Sequence, residues 1–220
     1  MDFFDVKLIW GQSGYLAVGA TYTLGLTFLS MFIGMAIGIF ISLGRMAKIF
    51  FVRALASAYV DVMRGIPLLV LIIWFYFGFS MLIDYEFSPL FAGVACLSLK
   101  YSGYLAETFR AGIQAIEIGQ SEASFSLGFS KIQNLRRIVL PQALRIVIPP
   151  IGNSFVSMLQ DSSMVMLVGI WELMKRGNSV ANSTLKPFEI YTTVGIFYLI
   201  MTISASRINR YLEGRLKLIR

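Results

Sequence analysis

The chain has 220 residues, of which 57% are hydrophobic and 14% are charged, whereas soluble domains usually carry about 25% charged residues; this composition makes lipid the main solvent of the protein. The net charge of +7 does not indicate a nucleic-acid partner, because the basic residues lie between and after apolar stretches and form no separate basic domain. There is no histidine and one cysteine, Cys96, which excludes an internal disulfide framework, the usual zinc ligands and most acid–base catalysis near neutral pH.

Five apolar stretches are long enough to cross a membrane as helices, which takes about 20 residues for about 30 Å of hydrocarbon. In chain order they cover residues 15–43, 65–83, 87–106, 146–171 and 190–206. Isolated strands could not satisfy their backbone hydrogen bonds in lipid. No cleavable signal is indicated, because the amino terminus lacks a basic region and the first stretch is too long. We therefore expect an all-α, polytopic membrane protein with five transmembrane helices, forming one transmembrane domain over residues 1–220.

Lysine and arginine are distributed unevenly between the two sides that five spans would define. One side holds 14 of the 19 Lys and Arg residues, in the loops after the first and third spans and in the carboxyl-terminal tail. The other side holds Lys7, Lys175, Arg176 and Lys186. Because cytoplasmic loops are enriched in positive charge, we expect the amino terminus outside and the carboxyl terminus in the cytoplasm.

The longest loop covers about residues 108–145 on the predicted cytoplasmic side. Long loops of this kind are usually functional. A short helix is predicted over about residues 121–127, with Glu122 in its first turn, where a carboxylate complements the helix dipole. Gly128 is suited to a left-handed cap at the end of that helix.

A second helix in this loop is expected to begin at Ser130, with Gln133 completing a capping box, and to end or kink at Pro141. Farther along, Pro149 and Pro150 are expected to interrupt the fourth span, as happens where membrane helices line a cavity. From the residues alone, the two short helices are equally suited to connect two spans or to dock against another protein.

Several motifs in this sequence occur in the order that is typical of one family. Glu122-Ala123-Ser124, followed by Gly128 and by Ile138-Val139-Leu140-Pro141, resembles the EAA motif of binding-protein-dependent ABC importer permeases, with Ser124 in place of the usual second alanine. The segments that resemble the polar amino-acid subfamily of these permeases cover residues 64–68, 103–113, 119–123, 140–145 and 160–164. The resemblance extends from about residue 15 onward.

The resemblance implies a type I ABC importer permease fold and a non-catalytic subunit in the bacterial inner membrane. The implied partners are a cytoplasmic ABC ATPase dimer, a second permease subunit that is identical or similar, an extracytoplasmic solute-binding protein and an amino-acid substrate. This chain has no Walker A sequence, so no cofactor is expected in it, and ATP and Mg would bind to the ATPase. Coupling to the ATPase is expected at the motif residues Gly119, Gln120, Glu122, Ala123, Ser124, Leu127 and Gly128.

Ionisable residues inside predicted spans are candidates for the transport route, because a charge in lipid usually faces a partner or a wet cavity. Lys100, Tyr104 and Glu107 share one helix face, and Asp161 interrupts the fourth span. An amino acid carries a carboxylate and an ammonium group, which Lys100 and Asp161 would complement. The predicted substrate pathway comprises Arg64, Lys100, Tyr104, Gln160, Asp161, Ser162 and Ser163.

Other roles stay open for these charges. Lys100 could pair with Asp161 or extend its ammonium group to the membrane interface. Glu107 and Arg110 are expected to form an i,i+3 ion pair. A scaffold without transport activity and an intramembrane Ser–Lys enzyme are the alternatives to a transporter. The enzyme is disfavoured because the nearest serines are two residues from Lys100 and point off its helix face. The sequence does not determine the substrate, with a slight lean to acidic or amide amino acids.

Overall fold

Within residues 6–216, the part of the chain that the computed structural model describes, the polypeptide folds into helices joined by short turns, with no strand. The predicted all-α class is confirmed for these residues. Two sequence-based inferences lie outside them: the amino terminus that lacks a basic region, residues 1–5, and the tail residues Lys217 and Arg220 that enter the charge count.

The first helix, α1 (Val6–Arg45), contains the whole first predicted span. It has no proline and no charged residue between Lys7 and Arg45, so nothing in the sequence breaks it. At about 1.5 Å per residue it is about 60 Å long. Gly34 and Gly38 bring it close to a later helix, since an added Cβ atom would lie 3.2 Å from the Ser98 carbonyl oxygen and 3.0 Å from Leu105 Cβ, respectively.

A sharp corner joins α2 (Phe50–Gly65) to α3 (Leu68–Ile83), with an angle of 103° between the two helices. The second predicted span corresponds to α3, whereas α2 has no counterpart among the predicted elements. The chain turns here because Ile66 precedes a proline and takes the extended conformation that such residues prefer. Pro67 has no N–H group to continue α2 and instead precedes the first turn of α3.

The helix α4 (Pro89–Gln114) lies in the centre of the bundle. The Ser88 side chain caps its amino terminus, and Pro89 occupies the first helical position, where a missing N–H group has no consequence. Residues of α1, α3 and the later helix α6 (Lys131–Val168), among them Leu26, Ile72 and Met158, pack around Leu97 and other residues of α4 in the main apolar core.

Between α4 and α6 lies the short helix α5 (Ile118–Ser126), close to the predicted boundaries. Gly128 follows it with φ of +82°, which confirms the predicted left-handed cap. Glu122 was expected in the first turn, and this is wrong: the helix begins earlier, at Ile118, so Glu122 lies in the second turn. The predicted capping box of Ser130 and Gln133 is confirmed at the start of α6.

The prolines of α6 do not end this helix, so the predicted end at Pro141 is wrong, whereas the alternative of a kink at Pro141 stays a prediction. A π-helical segment, Leu135–Val139, precedes Pro141, which has no N–H group to donate a helical hydrogen bond. The helix then continues through Pro149 and Pro150. The Asn209 side chain, from the last helix, donates a hydrogen bond of 3.0 Å to the Pro149 carbonyl oxygen. This hydrogen bond joins the last helix to α6 at the proline pair.

The chain bends by 54° between α6 and α7 (Leu173–Thr184), after the last turns of α6 tighten into a 3₁₀ helix and Gly169 adopts φ of +92°. The last helix, α8 (Pro187–Leu216), begins with a proline and runs past the fifth predicted span. Together with α1, these two helices form a second apolar core that contains Leu16, Leu173 and Ile190.

Among the described residues, α1 and α8 are by themselves long and apolar enough to cross a membrane. The bent pairs α2–α3 and α6–α7 pass the same test as two helices taken together, as a broken span or a re-entrant loop would. The central helix α4 is long enough at 26 residues, but it carries Lys100 and falls outside this set. The number of five spans therefore stays a prediction.

Candidate functional site

The helix α5 is held against the start of α6 by a small polar network. The Ser124 hydroxyl lies 2.8 Å from both the Ser121 carbonyl oxygen and the Asn134 side-chain oxygen, and the Asn134 amide donates to the Ser121 hydroxyl at 3.2 Å. Ser124 and Asn134 are both buried. The serine that replaces the usual alanine of the motif therefore has a structural reason, because its hydroxyl joins the two short helices.

The other side of α5 is free of the bundle. Ile118 and Leu127 are 77% and 78% exposed, and Gly119, Glu122 and Ala123 are exposed with them. Phe125 and Gln120 are also exposed, and the Gln120 side-chain oxygen accepts a hydrogen bond from the Gln142 amide of α6. This helix, joined to α4 and α6 at its ends, thus presents apolar and small residues on its surface, as docking helices do. The predicted coupling residues accordingly lie together, with Ser124 alone on the inner side.

A three-residue ion cluster lies at the end of α4 that leads to α5. Glu107 forms the predicted i,i+3 ion pair with Arg110, which is confirmed. It also pairs with Arg45, the last residue of α1, which sequence reasoning did not connect to it. A cation at a helix carboxyl terminus is favourable because it opposes the helix dipole. The cluster ties the ends of α1 and α4 together just before α5.

Three of the predicted pathway residues meet at the α2–α3 corner, residues 65–68. The Lys100 ammonium group donates hydrogen bonds to the carbonyl oxygens of Arg64, at 3.0 Å, and Ile66, at 2.5 Å. It also lies 5.6 Å from the centre of the Tyr104 ring, and the Arg64 guanidinium lies 5.3 Å from the same ring. Two cations therefore share one aromatic ring.

Asp161 lies beside this cluster and is bound by a different partner. Its carboxylate accepts a hydrogen bond of 2.8 Å from the Tyr101 hydroxyl, and the Tyr101 and Tyr104 rings lie 5.8 Å apart. Among the described residues, Asp161 forms no ion pair with Lys100. Neither alternative raised for Lys100 is observed, because its ammonium group binds backbone carbonyls within the bundle.

The remaining predicted pathway residues, Gln160, Ser162 and Ser163, do not join the cluster around Lys100. Gln160 and Ser163 line an open cavity of about 410 Å³ between α6, α7 and α8, together with Tyr191 and Tyr198. Ser162 is buried, and its hydroxyl donates to the Leu159 carbonyl oxygen. The structure therefore separates the predicted set into the Arg64–Lys100–Tyr104 cluster, the neighbouring Asp161, and a cavity on another face of α6.

One buried carboxylate was missed by sequence reasoning. Glu172, between α6 and α7, is completely buried and accepts hydrogen bonds from the backbone N–H groups of Met174 and Lys175 at 2.8 and 2.7 Å. The Tyr198 hydroxyl donates to it at 2.9 Å, and the Thr23 hydroxyl lies at 3.4 Å. The sequence feature that could have identified it is its position, because Glu172 is the only acidic residue between Asp161 and Glu189.

Comparisons with known proteins agree with the architecture and the motifs. The profile of the family described as "Binding-protein-dependent transport system inner membrane component" matches residues 34–218. The glutamine transport system permease protein GlnP of Escherichia coli (strain K12) is 32% identical, over 98% of this chain and 99% of its own length. The probable amino-acid ABC transporter permease protein YckA of Bacillus subtilis (strain 168) is 37% identical, over 89% of this chain and 86% of its own length.

Solved structures give the same result. The crystal structure of an amino acid ABC transporter with histidines superposes with a TM-score of 0.90 at 35% identity, over 96% of this chain and 98% of that one. An inward-facing MetNI methionine ABC transporter shares the fold, with a TM-score of 0.77 at 21% identity. The profile match over most of the sequence, together with relatives above 30% identity along nearly all of it, establishes that this chain belongs to the family of inner membrane components of binding-protein-dependent transport systems.

Proposed function

We propose that this chain is the permease subunit of an ATP-driven importer of polar amino acids. As a member of its family it is a non-catalytic membrane subunit, and ATP is hydrolysed by a separate subunit. The observation that carries the proposal is α5, a helix outside the bundle that bears the EAA-like motif and exposes Ile118 and Leu127 between α4 and α6.

In this proposal α5 is the coupling helix, which docks on the ATPase through the exposed residues around Glu122. Movement of the ATPase would reach the bundle by two routes. One runs through the Ser124–Asn134 hydrogen bond into α6, and the other through the Glu107 ion cluster into α1 and α4. Because Arg45 and Glu107 tie two helix ends together, these helices would move as one body.

The proposed assembly contains two permease subunits, identical or similar, above two ATPase subunits, with a solute-binding protein on the opposite face. The distribution of Lys and Arg supports an amino terminus outside and a carboxyl terminus in the cytoplasm, because five spans would put 14 of the 19 on the side of α5. The names of the relatives, which include glutamine and general amino-acid transport systems, support an amino acid as the substrate.

The proposed substrate route passes the polar groups in the bundle. Arg64 and Tyr104 offer a cation and an aromatic face, Asp161 offers a carboxylate nearby, and Gln160 and Ser163 line the open cavity. These groups would complement the carboxylate and the ammonium group of an amino acid. Ser162 is expected to contribute to this route through its backbone groups, because its hydroxyl donates a hydrogen bond to the Leu159 carbonyl oxygen within α6.

The proposal is tested by reconstituting the chain with its ATPase and solute-binding protein in proteoliposomes and measuring ATP-dependent uptake of a panel of labelled amino acids. Glu122→Gln and Gly128→Ala should reduce uptake and substrate-stimulated ATP hydrolysis while the subunit still inserts, because one changes the docking face and the other strains a residue with φ of +82°.

Matched controls come from the exposed end of α8, where Glu213→Gln and Gly214→Ala should leave uptake unchanged, since an added Cβ at Gly214 meets no atom within 4 Å. A wild-type chain that binds the ATPase yet imports no amino acid would indicate a scaffold. Full uptake in both α5 variants would contradict the coupling assignment.

A further inference from the structure

The α2–α3 corner is bound by Lys100 of α4, the only lysine that is buried among the described residues. Lys100 is 7% exposed and lies in the middle of α4, on the inner side of the 103° turn. Its ammonium group donates to two carbonyl oxygens of the corner, those of Arg64 and Ile66. A buried charge requires compensation, and here the compensation comes from backbone groups of a single turn.

Those carbonyl groups need a donor because α2 ends abruptly. The last four carbonyl groups of a helix have no partner within it. The Ile66 N–H group still donates back to the Val62 carbonyl oxygen, but Pro67 has no N–H group, and α3 departs in another direction. An ammonium group at this position also opposes the negative end of the α2 dipole. Lys100 is therefore a cap of α2 that is supplied by another helix.

This arrangement commits most of the hydrogen-bonding capacity of the lysine. An ammonium group has three N–H donors; two of them bind the carbonyl oxygens, and the group also lies 5.6 Å from the centre of the Tyr104 ring. The ammonium group is thus engaged with the backbone of the corner. By contrast, the Arg64 side chain is exposed and lies over the same ring, and within residues 6–216 it forms no hydrogen bond or ion pair.

We propose that Lys100 is a positioning residue, which fixes the backbone of Arg64 so that the Arg64 guanidinium stays over Tyr104 and binds the carboxylate of the substrate. Lys100 itself does not contact the substrate. The lysine holds the carbonyl group of the very residue whose side chain is free, so the position of the guanidinium depends on the bond from α4. This inference rests on the proposed function, because it assigns roles within the amino-acid route.

A double-mutant cycle distinguishes positioning from direct contact. In proteoliposomes with saturating loaded binding protein, the uptake rates of Lys100→Met, Arg64→Gln and the double variant are compared with that of the wild type. Each single variant should lose roughly tenfold or more in uptake rate, as expected for a lost charge-assisted contact, and the double variant should lose no more than Arg64→Gln alone. Lys48→Met, which changes an exposed lysine, is the matched control and should transport normally.

Losses that multiply in the double variant would overturn the inference, because they would mean that Lys100 acts independently of Arg64. Unchanged uptake in Lys100→Met would overturn it as well. If Lys100→Met does not assemble with the ATPase, Lys100→Gln carries the same cycle, since it removes the charge but keeps a polar side chain in the bundle. Uptake by the wild type is measured in the same type of vesicle. If the wild type imports no amino acid, the proposed function is contradicted. If the wild type imports normally but the losses of the two single variants multiply in the double variant, only this inference is contradicted.

Discussion

Two bends in the bundle are each held by one buried charged residue, and the two charges have opposite signs. At the α2–α3 corner, the ammonium group of Lys100 binds carbonyl oxygens at the end of a helix. At the α6–α7 bend, the carboxylate of Glu172 binds N–H groups at the start of one. In both places the sign of the charge opposes the dipole of the helix terminus. A charge buried in a membrane bundle can therefore stabilise a broken helix and need not be a substrate ligand.

The two bends differ in what surrounds the charge. Glu172 is completely buried, and its donors come from three helices: Thr23 on α1, Met174 and Lys175 on α7, and Tyr198 on α8. Lys100 lies next to the exposed side chain of Arg64, and its two hydrogen-bond acceptors belong to one corner of the chain. We infer that the α6–α7 bend is a rigid junction of the fold, whereas the α2–α3 corner adjoins the transport route.

The largest effect is expected for Glu172→Ala. This change leaves two backbone N–H groups and the Tyr198 hydroxyl buried without their acceptor, and it should destabilise the fold by about 3 kcal/mol or more. Lys100→Met should cost about 1 kcal/mol or less, because the loss of its hydrogen bonds is offset by the removal of a buried charge. Thermal unfolding of the purified chain in detergent measures both.

Glu213→Ala, an exposed change on α8, is the matched control and should leave the melting temperature unchanged. If Lys100→Met destabilised the chain as much as Glu172→Ala, the distinction between a rigid junction and a functional corner would be lost.

A smaller effect is expected from the glycines at the two bends. Gly169 adopts φ of +92°, so Gly169→Ala should cost about 1–2 kcal/mol. Gly65 is helical, and an added Cβ there meets no atom within 4 Å, so Gly65→Ala should be neutral or slightly stabilising. The same unfolding assay compares the two variants. Equal losses of stability would contradict the expectation that only the residue with positive φ requires glycine.

The smallest effect is expected from two tyrosines that each donate to a carboxylate. Tyr198→Phe removes one of several donors to Glu172 and should lower stability by about 1 kcal/mol. Tyr101→Phe removes the hydroxyl group bound to Asp161 and should change the uptake rate more than the stability, because Asp161 is assigned to the route. Unfolding and uptake are measured for both variants. The assigned roles would be contradicted if Tyr101→Phe lowered mainly the stability and Tyr198→Phe lowered mainly the uptake rate.

Sequence reasoning predicted the features that depend on neighbouring residues. The Gly128 cap and the Ser130–Gln133 capping box each involve residues within one turn, so their signals are local. The ion pair of Glu107 and Arg110 is local for the same reason. The positions of the apolar stretches follow from composition alone, since lipid requires long apolar helices.

The parts that could not be predicted depend on contacts between distant segments. Lys100 binds carbonyl groups 34 and 36 residues away, and Thr23 lies 149 residues from Glu172 in sequence. Nothing near Pro149 indicates that Asn209, 60 residues later, donates a hydrogen bond to its carbonyl oxygen. The predicted site residues were therefore identified by type and motif, whereas their division into three groups required the structure.

The central claim, that α5 docks on a cytoplasmic ATPase, is tested most directly by labelling and cross-linking a single thiol. Cys96 is buried and is replaced by alanine, and Ser126→Cys is introduced on the exposed side of α5. Asn182→Cys, on the exposed side of α7, serves as the control for the opposite face. We predict that a membrane-impermeant maleimide labels position 126 only from the cytoplasmic side and position 182 only from outside, and that a short cross-linker joins position 126 to the ATPase. Labelling of position 126 from outside, or a cross-link to the solute-binding protein in place of the ATPase, would contradict the account.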